Sequence, residues 1–181
     1  MAIKSKDKIY FDSDCISSFL WTNTEGILVS LYGNRIVIPS LVYEELRKVD
    51  HIYNKLQNLI SKGVVKTESF GFTTEEFKIY TLLKMGDTKH PKIGTGEASV
   101  IALAKCNEAT MASNNLKDIS YYLQYYKLNN ITTADILYEA LQNKLIIKAE
   151  AEQIWQNMRR KKRKLPYDTF EEWLKNKKTT N

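Results

Sequence analysis

The sequence predicts an α/β fold, a parallel sheet sandwiched by helices, and three observations point to it. A short apolar, aromatic run, Ile9-Tyr10-Phe11, ends abruptly in the carboxylates Asp12 and Asp14 and then turns into helix-compatible sequence. A β-branched run closed by proline, Arg35-Ile36-Val37-Ile38-Pro39, suits a buried strand that stops at its tip. Runs of this kind alternate with helical patterns along the chain, which implies βαβ units with right-handed crossovers.

Taken in order, Lys8 to Phe11 is the first strand and Asp12 stands at its carboxyl end, where open α/β sheets collect ligands beyond the strand tips. Apolar residues from Ile16 to Leu31 recur at helical spacing, with Thr22 to Gly26 as a break between two short helices. Gly33-Asn34 reads as a turn into the second strand. Ser40 is placed to cap the next helix, whose apolar face (Val42, Leu46, Val49) continues toward Leu56 and Ile60 until Gly63 stops it. Val64 and Val65 suggest a minor edge strand, and Thr73 with Glu76 has the spacing of a capping box for a helix through Leu83. The loop from Gly86 to Thr95 is too polar to be core.

Gly94 to Lys105 is the most distinctive helix, opened by small residues, with alanines that permit close packing on a sheet. Ala109 to Ala112 follows as a short buried strand, and Ser113-Asn114-Asn115 supplies a turn or helix cap at its carboxyl end. A tyrosine-rich helix from Ile119 to Tyr126 leads to a last short strand at Asn130-Ile131-Thr132, after which Thr133 caps a helix to Asn143. Beyond Glu150 two more helices are separated by Leu165-Pro166, the second led by an Asp168/Glu171 capping box. The expected division is one domain over residues 1–150 and a basic helical extension over 151–181.

Composition narrows the function classes. With 181 residues and 43% hydrophobic content, the chain is long enough for one domain with a real core. No apolar run approaches the roughly 18 residues of a membrane span. The opening Met-Ala-Ile-Lys-Ser-Lys-Asp-Lys lacks the apolar core of a signal peptide, so a cytoplasmic protein with no membrane partner is expected. Cys15 and Cys106 cannot make a disulfide framework, and with only His51 and His90 there is no Cys/His metal cluster, so any metal must be held by oxygen. Residues 151–181 hold nine Lys and Arg against four Asp and Glu, and thus most of the net charge of +6. That balance fits either a polyanion partner or a solubilising end.

Under this reading three carboxylates reach corresponding positions: Asp12 ending the first strand, Glu45 on the inward side of the helix after the second, and Glu97 in the first turn of the small-residue helix. Converging acids without basic partners repel one another, and a hard divalent cation with oxygen ligands is the usual remedy. Each acid also has a plainer use taken alone. Asp12 or Asp14 could cap the next helix, Glu44 and Glu45 could be solvated, and Glu97 could favour the positive end of its helix dipole.

The motifs resemble those of PIN-domain nucleases, a family that includes VapC-like toxins. Ile-Tyr-Phe-Asp12-Ser-Asp-Cys-Ile-Ser-Ser-Phe-Leu is similar to the first motif and Ile-Pro-Ser-Leu-Val-Tyr-Glu-Glu45-Leu to the second. Gly-Glu97-Ala-Ser-Val-Ile-Ala-Leu-Ala looks like the third, and Ala-Ser-Asn-Asn-Leu-Lys-Asp118-Ile sits where the fourth is expected. The resemblance spans roughly residues 8–147. It implies a three-layer Rossmann-like fold and Mg²⁺- or Mn²⁺-dependent cleavage of RNA, with Asp12, Glu45 and Glu97 as metal ligands. It also implies a possible antitoxin protein as partner and a homodimer.

The fourth motif departs from the family pattern, which has an aspartate where this chain has Asn115, and Asn114 supplies no charge either. Asp118 or Asp135 is expected to provide the missing carboxylate. The expected catalytic and metal-binding set is therefore Asp12, Glu45, Glu97 and Asp118, supported by Ser13, Asp14, Asn114, Asn115 and Asp135.

The run Arg159-Arg160-Lys161-Lys162-Arg163-Lys164 would, on a helix, point cations in every direction. It could hold an RNA backbone through salt-dependent, sequence-blind contacts, or serve solubility or an acidic protein partner. Tyr121, Tyr122, Tyr125 and Tyr126 could stack on bases, although their spacing is more often core packing. Two rival readings stand beside the nuclease. One is a non-catalytic RNA- or protein-binding module. The other is a haloacid dehalogenase-like phosphatase using Asp12-Ser13-Asp14, which needs an acidic pair where the chain has Asn114-Asn115.

Overall fold

The computed structural model describes residues 8–179; the opening residues 1–7 and the last two, which belong to the expected divisions 1–150 and 151–181, lie outside the described residues. Five strands form one sheet: β1 (Ile9–Phe11), β2 (Ile36–Pro39), β3 (Val65–Glu68), β4 (Thr110–Ala112) and β5 (Asn130–Ile131). Every pairing is parallel and the order is β3-β2-β1-β4-β5, the α/β architecture expected. The chain lays strands outward from β1 to β3, then returns across β1 to add β4 and β5. The order thus reverses between β1 and β4, and the crevice beyond their carboxyl ends is where such sheets bind ligands.

The helices are α1 (Ser13–Trp21), α2 (Glu25–Tyr32), α3 (Ser40–Leu46), α4 (Asp50–Ser61), α5 (Glu75–Met85), α6 (Thr95–Cys106), α7 (Leu116–Tyr125), α8 (Thr133–Gln142), α9 (Lys148–Arg160) and α10 (Phe170–Thr179). Helix α6 lies against β1, β2 and β4, with every residue from Ala98 to Ala104 buried. Its alanines let the helix sit close to the sheet, and α5 and α3 cover its other sides. None of the helices among the described residues is long and apolar enough to cross a membrane.

Several local expectations are corrected. The helix after β2 is two helices, broken at residues 47–49. Val42 and Leu46 mark the buried stripe of α3, whereas Ile52, Leu56 and Leu59 mark that of α4. The step from Leu46 to Ile52 is out of phase with a helical face, so the break brings both stripes inward and leaves Val49 exposed. Three expected caps are displaced by one residue. Thr74 rather than Thr73 caps α5, Thr132 rather than Thr133 caps α8 through a reciprocal box with Asp135, and Thr169 pairs with Glu172 ahead of α10. Each site is a doublet of cap-capable residues, and spacing alone does not choose between neighbours. Ser40 caps nothing; its hydroxyl donates to the Glu68 carbonyl at 3.1 Å, tying the tip of β2 to β3. That bond and four register pairs make β3 a full edge strand. The polar loop after α5 does reach the core: Ile93 and His90 are buried, with the Asp87 carboxylate accepting from the His90 ring at 2.9 Å.

The basic run is not a helix throughout. Only Arg159 and Arg160 belong to α9; Lys162 takes a left-handed φ of 57°, its N–H donates to the Arg159 carbonyl, and that of Arg163 donates to the Met158 carbonyl at 3.0 Å. These bonds close the helix end and turn the chain back. The remainder of the extension is firmly packed. Trp155, Met158 and Phe170 are fully buried, and the Trp155 indole N–H donates to the Tyr167 carbonyl at 3.1 Å. Lys177 fastens α10 to α8, with Nζ 2.5 Å from Asp135 Oδ1 and 4.9 and 4.6 Å from the ring centres of Tyr138 and Trp173.

Candidate active site

Asp12 follows the last residue of β1 and is only 4% exposed. Its N–H donates to the Ala112 carbonyl at 3.0 Å, which locks the tips of β1 and β4 together. Oδ1 accepts from the Cys15 N–H at 2.7 Å, so the plain reading and the chemical one are both satisfied: Asp12 is the N-cap of α1 and the acid at the strand tip. Burial pushes its carboxyl up to about 7 from the usual 3.8, and the charges of Asp14 and Glu97 push the same way. Hydrogen bonds from the Ser113 hydroxyl and the Cys15 amide oppose the shift without cancelling it.

Glu45, near the end of α3, and Glu97, in the first turn of α6, each lie against a glycine. A β-carbon at Gly96 would stand 2.9 Å from Glu45 Oε2, and one at Gly94 would stand 2.2 Å from Glu97 Oε2. At both positions a carboxylate occupies the space a side chain would use. Asn115, the N-cap of α7, donates its amide to Glu97 Oε1 at 3.0 Å and to Asp118 Oδ2 at 2.8 Å. A neutral amide therefore sits where the fourth acid was expected, and the exposed Asp118 reaches Glu97 through it.

The supporting residues divide. Asn114 is committed to the start of α8, its carbonyl accepting from the Thr133 N–H and its amide donating to the Thr133 hydroxyl, both at 2.8 Å. Asp135 is occupied as the reciprocal cap of Thr132 and as the partner of Lys177. Ser13 and Asp14 line a cavity of about 260 Å³ together with Glu45 and Arg163. Asp14 lies 3.5 Å from the Arg163 guanidinium. Elsewhere in the basic run, Arg159 pairs with Asp168 at 2.6 Å, Arg160 donates to Asn157 and Lys161 lies over Trp21. Lys162 and Lys164 are exposed. The tyrosines also split: Tyr122 is core, while Tyr121 and Tyr125 stack on each other and are partly exposed.

Sequence reasoning missed Ser113, Gly94 and Gly96. Ser113 follows β4 as Asp12 follows β1, so its position was signalled by topology once the strands were paired. The glycines were signalled by their positions three and one residues before Glu97 at a helix start.

Among the described residues, none of Asp12, Glu45 and Glu97 is in an ion pair. No group of three or more His, Cys, Asp or Glu side chains among them is gathered into a ready-made metal cage. The donor chemistry nevertheless fits a hard divalent cation: all the donors are oxygens, the acids lack cations, and the glycine cradles give two of the carboxylates room. A family model described as a PIN domain matches residues 8–179. No curated protein matches the chain.

Proposed function

The chain belongs to the PIN-domain family, and from that premise we propose that it is a Mg²⁺- or Mn²⁺-dependent endoribonuclease hydrolysing RNA phosphodiester bonds. One observation supports the reading: Asp12 is buried at the tip of β1, beside the strand-order reversal, and neither it nor Glu45 nor Glu97 has a cationic partner among the described residues. Asp12, Glu45 and Glu97 would hold the ion, which when bound offsets their repulsion, polarises the phosphodiester and lowers the pKa of a water.

The chain's own groups set the conditions. Ser113 and the Cys15 amide orient the Asp12 carboxylate, whose pKa of about 7 lets it hold a proton in acid and release it near neutrality. Asn115 orients Glu97 without adding charge, and the bare backbone of Gly96 admits Glu45. Incubating the purified full chain with single-stranded RNA and Mn²⁺ or Mg²⁺ tests the proposal. Cleavage that stops with EDTA and in Asp12→Asn is expected. Equal trace activity in wild type and variant overturns it.

A further inference from the structure

Resting on the ribonuclease reading, we propose that Arg163 is a substrate-positioning residue: it forms the cationic wall of the active-site groove and binds an RNA backbone phosphate beside the acidic centre. The inference begins with where the chain reversal after α9 puts this side chain. Arg163 is held by its own N–H on the carbonyl of buried Met158, and its Nε donates to the Lys161 carbonyl at 3.2 Å. The guanidinium then lies against α1, with Nη1 3.3 Å from Ser17 Oγ and 3.5 Å from Asp14 Oδ1, and its centre 6.0 Å from the Trp21 ring. It is 23% exposed.

One cavity of about 260 Å³ joins Arg163 and Trp21 to Ser13, Asp14 and the site acid Glu45. That volume is near the lower end for small-ligand pockets, and it suits a single nucleotide unit of a longer strand. A groove of acids alone repels RNA, whereas a fixed guanidinium offers a planar fork matched to phosphate oxygens. Among the described residues Nη2 has no hydrogen-bond partner. The Asp14 contact is too long for a strong hydrogen bond, so a phosphate can replace it. The other cations of the run are differently placed. Arg159 is spent on Asp168 and Arg160 on Asn157, Lys161 packs over Trp21 without lining the cavity, and Lys162 and Lys164 lie exposed outside it. The basic segment therefore contributes one positioned contact and a diffuse field, and only the first belongs to the active site.

The test measures anisotropy of a fluorescent single-stranded RNA octamer in EDTA across a KCl series, with the full chain and with Arg163→Ala, Arg163→Lys, Asp14→Asn and Lys164→Ala. Arg163→Ala is expected to weaken binding about tenfold at low salt and to reduce the salt slope by about 0.7, the signature of one lost phosphate contact on a single strand. Arg163→Lys should fall between. Asp14→Asn should tighten binding, because it removes the anion that competes for the guanidinium, and Lys164→Ala should change little. If Arg163 only holds α1 to the tail, Asp14→Asn and Arg163→Ala will weaken binding and lower the melting temperature together, and the proposal is overturned. It is also overturned by an unchanged affinity and slope in Arg163→Ala, or by a wild type that does not bind the octamer. Arg163→Lys and Asp14→Asn preserve side-chain bulk, so the test survives if the alanine variant fails to fold. Cleavage assays in Mn²⁺ separate the two readings. A wild type that binds but never cleaves removes the ribonuclease, whereas one that cleaves with the same KM after Arg163→Ala removes only the positioning role.

Discussion

The Glu45 carboxylate rests on the bare backbone of Gly96, with Oε2 2.9 Å and Oε1 3.1 Å from where a β-carbon would stand. In Gly96→Ala two effects oppose. The first turn of α6 gains part of the roughly 1 kcal/mol by which alanine exceeds glycine in a helix interior, and the new methyl displaces the carboxylate. A carboxylate at the end of a flexible side chain moves cheaply, so stability is expected to hold or rise slightly. The displaced ligand is the larger loss: a misplacement of about 1 Å can cost on the order of 10²-fold in rate. Thermal melting beside kcat/KM in Mn²⁺ checks both halves, and unaltered kcat/KM would exclude Glu45 as a ligand.

Asp12 gives a pH dependence of defined sign. Its folded pKa of about 7 lies above the ordinary 3.8, so the native state binds this proton more tightly than the unfolded chain. The stabilisation is full below about pH 4 and is lost as pH rises toward 7. Asp12→Asn removes the ionisation while keeping an acceptor for the Cys15 amide. In EDTA at pH 8 the variant should be more stable than wild type by about 2–4 kcal/mol, and by less at pH 5. Chemical denaturation at the two pH values measures this.

The same group sets the acid limb of the proposed activity. Protons and the divalent ion compete for one carboxylate, so cleavage should fall as pH drops below about 7. Raising Mn²⁺ should move that limb to lower pH. A limb independent of the metal concentration would place the titrating group elsewhere.

Asn115→Asp restores the acid that the fourth motif lacks, and it has opposite effects with and without metal. Without metal, the amide bonds to Glu97 and Asp118 are lost and a like charge is added, at a cost of about 1–3 kcal/mol. With Mn²⁺ the added oxygen charge strengthens the site. The melting difference between Mn²⁺ and EDTA should therefore widen relative to wild type, and an unchanged difference would mean that Asn115 lies off the ion.

Lys177 is the clamp between α10 and α8, bound to Asp135 and resting over Tyr138 and Trp173. Both charges are about a third exposed, which leaves the ion pair weak and the ring contacts as the main contribution. Lys177→Ala should cost about 1–2 kcal/mol. Lys177→Arg should recover much of it, as read by urea denaturation.

The strands were legible because Ile36 to Ile38 and Thr110 to Ala112 are buried runs whose chemistry admits little else. The place of Asp12 was legible because the run before it ends at a strand tip, and its capping of α1 was among the uses the sequence offered. Caps were blurred wherever two hydroxyl or acid residues stand side by side, as at Thr132-Thr133. The tail was least legible. Whether Arg163 reaches Ser17 depends on the left-handed turn at Lys162, where no glycine or asparagine advertised it, and on contacts between opposite ends of the chain. Asn115 was read as a missing charge, but the bridge it makes from Glu97 to Asp118 needs the start of α7 to lie beside the first turn of α6.

The pairing of β1 with β4 also imposes an order in time. Asp12 is synthesised 100 residues before its partner Ala112 and 151 residues before Arg163. Parallel pairing at this separation closes slowly, and it cannot close before its second strand exists. For the ribonuclease proposed above, that delay would keep an incomplete chain harmless to the message and the ribosome making it. A product truncated before residue 163 would carry all the proposed site acids and lack the cation proposed to position a strand beside them.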